Sequence, residues 1–256
     1  MRRRASCPRF EACASQPGLR IASYNIHGAR GTDGRLDVPR IAGVIGELDC
    51  DTVGLQEVNS RNGGREAPQL DALARLTGMT AIPGLTIVRS DGHYGNALLT
   101  RRPVQAVRRH DLSYARAEPR GALEVELDVD GERVHVIVTH LGLRPAERRY
   151  QVRRMLELLH DLPKAQPVVV LGDINEWLPL GRPLRWLHEL LGHSPAERSF
   201  PVACPLFALD RVWVRPRPAL RAFSVFRSPT ARRASDHYPV RALIDVHHHA
   251  RVVPHA

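Results

Sequence analysis

Short apolar, β-branched runs recur along this chain, and each stops at a carboxylate, an amide or an imidazole. Ile21 to Tyr24 leads to Asn25, Thr52 to Gln56 leads to Glu57, and Val134 to Thr139 leads to His140. Val168 to Gly172 leads to Asp173 and Asn175, Ala208-Leu209 leads to Asp210, and Ser235 introduces Asp236-His237. Runs of about 4–8 such residues read as buried strands. Polar groups at several strand ends would gather at one rim of a sheet, where α/β folds place their ligands. An array of Asn, Glu, His and Asp at such a rim suits a hard metal ion and a phosphate ester.

Helical spacing alternates with these runs. Asp37 is placed to cap a helix whose Val38, Ile41, Ile45 and Leu48 share one face. A short helix is expected near 68–77, a longer one over 145–161 with Val152, Met155, Leu156 and Leu159 as its buried stripe, and another near 181–191. Arg148, Arg149, Arg153 and Arg154 fall largely off that stripe and read as a solvated face. Residues 79–109 read as short strands with turns at Pro83-Gly84 and Asp91-Gly92, and Asp130-Gly131 as the turn of a hairpin. Further strands are expected at 207–214, 221–226 and 238–245. Hairpins mixed with few helices point to α/β sandwich layers rather than a purely parallel sheet.

Composition narrows this only a little. A chain of 256 residues forms one large core, so 19–246 reads as a single domain. Residues 1–18 read as a disordered leader and 247–256 as a loose tail. No stretch has the roughly 18 uncharged apolar residues of a membrane span, and the basic start Met1-Arg2-Arg3-Arg4 lacks a following apolar segment for export. Cys7, Cys13, Cys50 and Cys204 form no metal spacing and are expected as free thiols in the cytoplasm, although Cys7 and Cys13 could pair if oxidised. The net charge of +10 favours polyanionic partners. Nearly all of it is arginine, since Lys164 is the only lysine, and such a skew can arise from codon composition.

Taken singly, the polar strand ends have plain structural readings. Glu57 could simply start a loop, Asn25 could form a turn before Gly28, and Asp173-Ile174-Asn175 could be an Asx turn. His140 could be a hydrogen-bonded core histidine. Arg120, in Pro119-Arg120-Gly121, could be a surface residue or a bidentate phosphate contact.

Six motifs in order, over about Leu19 to Val246, change the balance: Tyr24-Asn25, Gln56-Glu57, Thr139-His140-Leu141, Gly172-Asp173-Ile174-Asn175, Leu209-Asp210 and Ser235-Asp236-His237. In these the chain resembles the endonuclease/exonuclease/phosphatase superfamily, in its deoxyribonuclease and neutral-sphingomyelinase branch. The resemblance implies a four-layer α/β sandwich, two packed mixed sheets flanked by helices. It implies Glu57 as the metal-holding carboxylate with Asn25 and Asp236 beside it, and Mg²⁺, or Mn²⁺, as cofactor. It implies that Asp173 activates water, that Asn175, Asn25 and Arg120 bind phosphate, and that His237, held by Asp210, stabilises the transition state. His140 would face the leaving group, with Asn96 or Tyr94 as its support. Val58 stands where abasic-site endonucleases carry Lys, which counts against a repair role. The implied activity is a phosphodiesterase acting as a monomer on a phospholipid-type or other small phosphodiester. Cleavage of DNA or RNA is the alternative, and a non-catalytic scaffold is disfavoured because the whole polar set is present. No segment reads as an apolar hairpin for membrane insertion.

Overall fold

The computed structural model describes residues 8–13, 16–59, 69–90 and 92–248. Among them, eleven strands form two sheets. The first has the order β10-β11-β1-β2-β4-β3, built from β1 (Leu19–Asn25), β2 (Thr52–Asn59), β3 (Thr80–Arg89), β4 (Gly92–Thr100), β10 (Leu220–Val225) and β11 (Val240–Ile244). The second has the order β5-β6-β7-β8-β9, built from β5 (Val104–Asp111), β6 (Gly121–Val129), β7 (Glu132–His140), β8 (Val168–Asp173) and β9 (Asp210–Arg215). Each sheet holds one parallel pair, β1 with β2 and β7 with β8, among antiparallel neighbours.

Alternation along the strands produces the layers. In β8, Val169 and Leu171 point into the core between the sheets, whereas Val168 and Val170 pack under the helices on the outer face. Helices α3 (Pro145–Asp161) and α4 (Arg182–Leu191) cover that outer face through Val152, Met155, Leu159, Leu184 and Leu187. Helices α1 (Val38–Leu48) and α2 (Gln69–Thr77) pack through Ile41, Ile45, Leu48 and Leu73 into the main core, and α5 (Ala231–Ala234) is a single turn ahead of β11. Asp37 caps α1, accepting from Arg40 N at 2.8 Å. The four-layer sandwich is thus present. The two sheets pack tightly at Gly54 of β2, where a Cβ would lie 2.3 Å from Leu171 Cδ1 of the opposite sheet.

Three expectations are corrected. Pro83-Gly84 does not turn; β3 runs straight through it. Proline is tolerated there because β3 is an edge strand, with a ladder on one side only. The leader is not wholly loose: Phe10–Cys13 form a 3₁₀ turn whose Phe10 is buried, with the Arg241 guanidinium 4.4 Å from its ring centroid. Phe223 N donates to Pro8 O at 2.9 Å and holds this segment against β10. Arg148 is not on a solvated face; it is buried against Glu176, with Nε 3.1 Å from Oε2. Cys7 and most of the tail, from residue 249, lie outside the described residues, while Cys13 and Cys50 are buried free thiols. Among the described residues, no helix is long and apolar enough to cross a membrane.

Candidate active site

Strand register assembles the site. His140 stands opposite Asp173, and Asp173 opposite Asp210, at one end of β7, β8 and β9. The first sheet supplies Asn25 at the end of β1, Glu57 near the end of β2, and Asp236-His237 just before β11. Hydrogen bonds at the site join the sheets: Asn25 Nδ2 donates to Asp173 Oδ2 at 3.1 Å, and His237 Nδ1 lies 2.8 Å from Asp210 Oδ2.

The local backbone is shaped for these contacts. The β2–β4 ladder slips between Leu55 and Val58, and Glu57 takes a left-handed φ of 60°. A bulge of this kind re-aims a side chain, and a strained non-glycine residue is retained only where its surroundings fix it. Asn25 Nδ2 also donates to Glu57 Oε1 at 3.0 Å, while Asn25 Oδ1 accepts from His27 N at 3.0 Å. The amide therefore turns its nitrogen, not its oxygen, to the carboxylates. Asn25 thereby bridges Glu57 of the first sheet and Asp173 of the second. Asn175 is also left-handed, with φ 51°. Its N–H donates to Asp173 Oδ1 at 3.0 Å, and its side-chain Nδ2 donates to Leu141 O at 2.9 Å and lies 3.0 Å from His140 Nε2. The Asx turn and the site are one structure here. Gly172 lets β8 press against β7, since a Cβ there would lie 1.9 Å from Thr139 O.

Burial sets the protonation pattern. Asp173 is pushed up to about 6 by desolvation, which the nearby His237 charge and the Asn25 hydrogen bond only partly offset. For His237, burial opposes the charge, but Asp210 and then Asp173 outweigh it and hold the imidazolium up to about 10. His140 is pushed well below 6.5 by burial, then by the Arg120 and His237 charges, so it is neutral at neutral pH. Arg120 Nη1 lies 3.2 Å from His140 Nδ1. Donor groups face both ring nitrogens of this neutral imidazole, the Arg120 guanidinium at Nδ1 and the Asn175 amide at Nε2, and Nε2 also lies 3.6 Å from Asp173 Oδ2. His237 Nε2 is also 3.6 Å from that oxygen.

Arg120 is buried, not a surface residue, and its Nη1 pairs with Glu118 Oε1 at 2.9 Å. Asn96 Nδ2 donates to Gly121 O at 3.0 Å and so supports the Arg120 segment, while the Arg120 charge acts on buried Tyr94. Asp236 is partly exposed, with Oδ1 3.9 Å from His27 Nδ1. The sequence offered no sign of Ser199, whose Oγ donates to Asp210 Oδ2 at 2.6 Å, or of Phe200, whose ring centroid lies 4.6 Å from that of His237.

Among the described residues, no three His, Cys, Asp or Glu side chains close into a ready-made metal cage. Mg²⁺ does not require one: it takes one or two carboxylates and completes its shell with waters and phosphate oxygens. Glu57 accepts from Asn25 through Oε1, and its carboxylate, in a site whose named side chains include no thiolate, fits a small hard cation.

Residues 22–237 match the Endonuclease/Exonuclease/phosphatase family. The uncharacterized protein YbhP of Escherichia coli (strain K12) is 32% identical over 246 residues, covering 90% of this chain and 97% of that protein. An endonuclease/exonuclease/phosphatase structure from Bacteroides vulgatus superposes with a TM-score of 0.74 at 17% identity, covering 90% of this chain and 100% of that one. The mannosyl-6-phosphatase Bt3783 of Bacteroides thetaiotaomicron gives a TM-score of 0.70 at 17% identity, covering 89% and 99%. With the family pattern and the strand-end array on the same residues, the chain belongs to the endonuclease/exonuclease/phosphatase family, whose members hydrolyse phosphate esters.

Proposed function

We propose that this chain is a Mg²⁺-dependent phosphodiesterase acting on a phospholipid-type or other small phosphodiester. The observation that carries the reading is the placement of Asp173 Oδ2 at 3.6 Å from each of two imidazoles, one neutral and one cationic. Environments that drive neighbouring groups apart in protonation are those that separate acid, base and charge-stabilising roles.

Asp173, ionised above about pH 6, accepts a proton from the attacking water. His237, kept cationic and oriented by Asp210, places its Nε2–H against the phosphoryl oxygens, where negative charge builds. Asn175 adds its amide, and Arg120 its fixed positive charge beside His140. His140, held neutral by burial, is available to the departing oxygen. A divalent cation held by Glu57, with Asp236 close by, would polarise a phosphoryl oxygen as a Lewis acid.

A second reading, cleavage of a nucleic-acid backbone, is supported by the net charge of +10. Bt3783, named a mannosyl-6-phosphatase, makes a monoester a third class to include in any assay. The test is Mg²⁺-dependent hydrolysis by wild type and Asp173→Ala across lipid, nucleic-acid and sugar-phosphate substrates. The variant is expected to lose about a hundredfold to ten-thousandfold in kcat. Equal rates for the two proteins would overturn the role of Asp173, and a preference for DNA or RNA would overturn the substrate assignment.

A further inference from the structure

Among the described residues ten large hydrophobic side chains are exposed, and five of them lie on loops at the active-site rim. Leu143 (64% exposed) follows β7 and His140, and Trp177 (37%), Leu178 (67%) and Leu180 (84%) follow β8 and Asn175. Leu206 (54%) sits on a tight loop ahead of β9, closed by Phe200 N donating to Phe207 O and Phe207 N to Phe200 O. The registers His140–Asp173 and Asp173–Asp210 place all three loops on one edge of the second sheet.

These tips are held, not floppy. Trp177 packs edge-on against Phe207 and Phe200, with centroids 4.7 and 5.7 Å away, and Phe200 in turn packs on His237. Leu178 N donates to Glu176 Oε1 and Gly181 N to Leu178 O, while the Glu176 carboxylate is clamped by buried Arg148. Arg148 Nη1 also donates to Leu143 O, so one side chain fixes both the 143 and the 178 tips. Exposed Arg144, Arg182 and Arg198 flank the tips, and among the described residues none forms an ion pair with a carboxylate. Apolar tips ringed by unneutralised guanidinium groups match the acyl boundary and anionic headgroups of a bilayer. A patch facing an aqueous polyanion would have no use for Leu180 at that exposure.

We propose that these three loops form an interfacial face that seats the active site on an anionic phospholipid bilayer. The proposal deepens the phosphodiesterase reading by naming a lipid surface as its substrate's source, and it rests on that reading for the lipid's fate but not for the docking. The test uses the full chain with vesicles of phosphatidylglycerol in phosphatidylcholine, by co-sedimentation and tryptophan emission. Wild type is expected to partition onto the anionic vesicles with a blue shift from Trp177. Leu178→Ser/Leu180→Ser is expected to partition at least about tenfold more weakly, because two exposed leucines lose their apolar burial. It should retain its melting temperature and its hydrolysis of a soluble small phosphodiester, and Leu206→Ser provides an independent second variant. Failure of wild type to bind, or equal binding by all three proteins, would overturn the docking face. So would a dimer in free solution that the substitutions abolish, since the face would then join two copies. Intact docking with no lipid hydrolysed would support the face and overturn the lipid substrate instead.

Discussion

The two sheets contribute unlike halves to the site. His140, Asp173, Asn175 and Asp210, from the second sheet, are buried, and their side chains hydrogen-bond one another or nearby groups. The first sheet adds buried Asn25 and His237 to that closed set, but its own carboxylates, Glu57 and Asp236, are only partly buried, with Asp236 Oδ1 3.9 Å from His27 Nδ1. Preorganised dipoles and charges need no rearrangement during reaction, which is what proton transfer and charge stabilisation require. A cation site that changes its waters and phosphate ligands each turnover needs free carboxylate positions. The closed half suits the chemistry, and the open half suits exchange.

Substitutions in the closed half should cost the most. Asp210→Asn removes the charge that does most to offset burial at His237, and the loss in kcat is expected at about a hundredfold to a thousandfold. The pH profile gives a sharper reading. Wild-type activity should rise through about pH 6 as Asp173 ionises and fall as His237 deprotonates near 10. Because Asp210 raises both the His237 and the Asp173 values, its loss should shift the falling limb toward neutrality and draw the rising limb to lower pH. An unmoved falling limb would detach His237 from the reaction.

An intermediate effect is expected at Glu57→Gln. Apparent Mg²⁺ affinity should fall at least about tenfold, with rate partly restored by added metal. Titration by activity and by calorimetry would check this, and unchanged metal affinity would erase the proposed division between the halves. The smallest change is expected at His27→Ala, under about threefold in kcat, because an exposed imidazole 3.9 Å from Asp236 is a weak partner. A larger loss would make the open half more organised than its exposure indicates.

Much of this was legible because strands with alternating faces and abrupt polar ends leave period and composition together in the sequence. The β6–β7 hairpin at Asp130-Gly131 and helix α3 over 145–161 fall where their patterns place them. Proline and glycine misled at Pro83-Gly84, because edge position, not local chemistry, decides whether such a pair turns. The Arg148–Glu176 pair was illegible for a different reason. Arg148 stands four residues ahead of Val152 and seven ahead of Met155, so helical spacing puts it on the buried face, but its charge reads as solvated until the loop after β8 supplies Glu176. Ser199 likewise acquires meaning only from Asp210, eleven positions away in sequence and 2.6 Å away in space. The clustering of Leu143, Leu178 and Leu206 could not be read from three separate loops, since only the register of β7, β8 and β9 brings them to one edge.

The near-contact of the sheets at Gly54 has a mechanical corollary. A single methyl group there would act as a wedge between the layers, three residues ahead of Glu57 on β2 and against Leu171, two residues ahead of Asp173 on β8. Prising the layers apart would stretch the Asn25–Asp173 and His237–Asp210 links together, because both span the same gap. The thickness of the hydrophobic interior is therefore the gauge that sets catalytic alignment, and ordinary core residues can tune turnover without touching substrate.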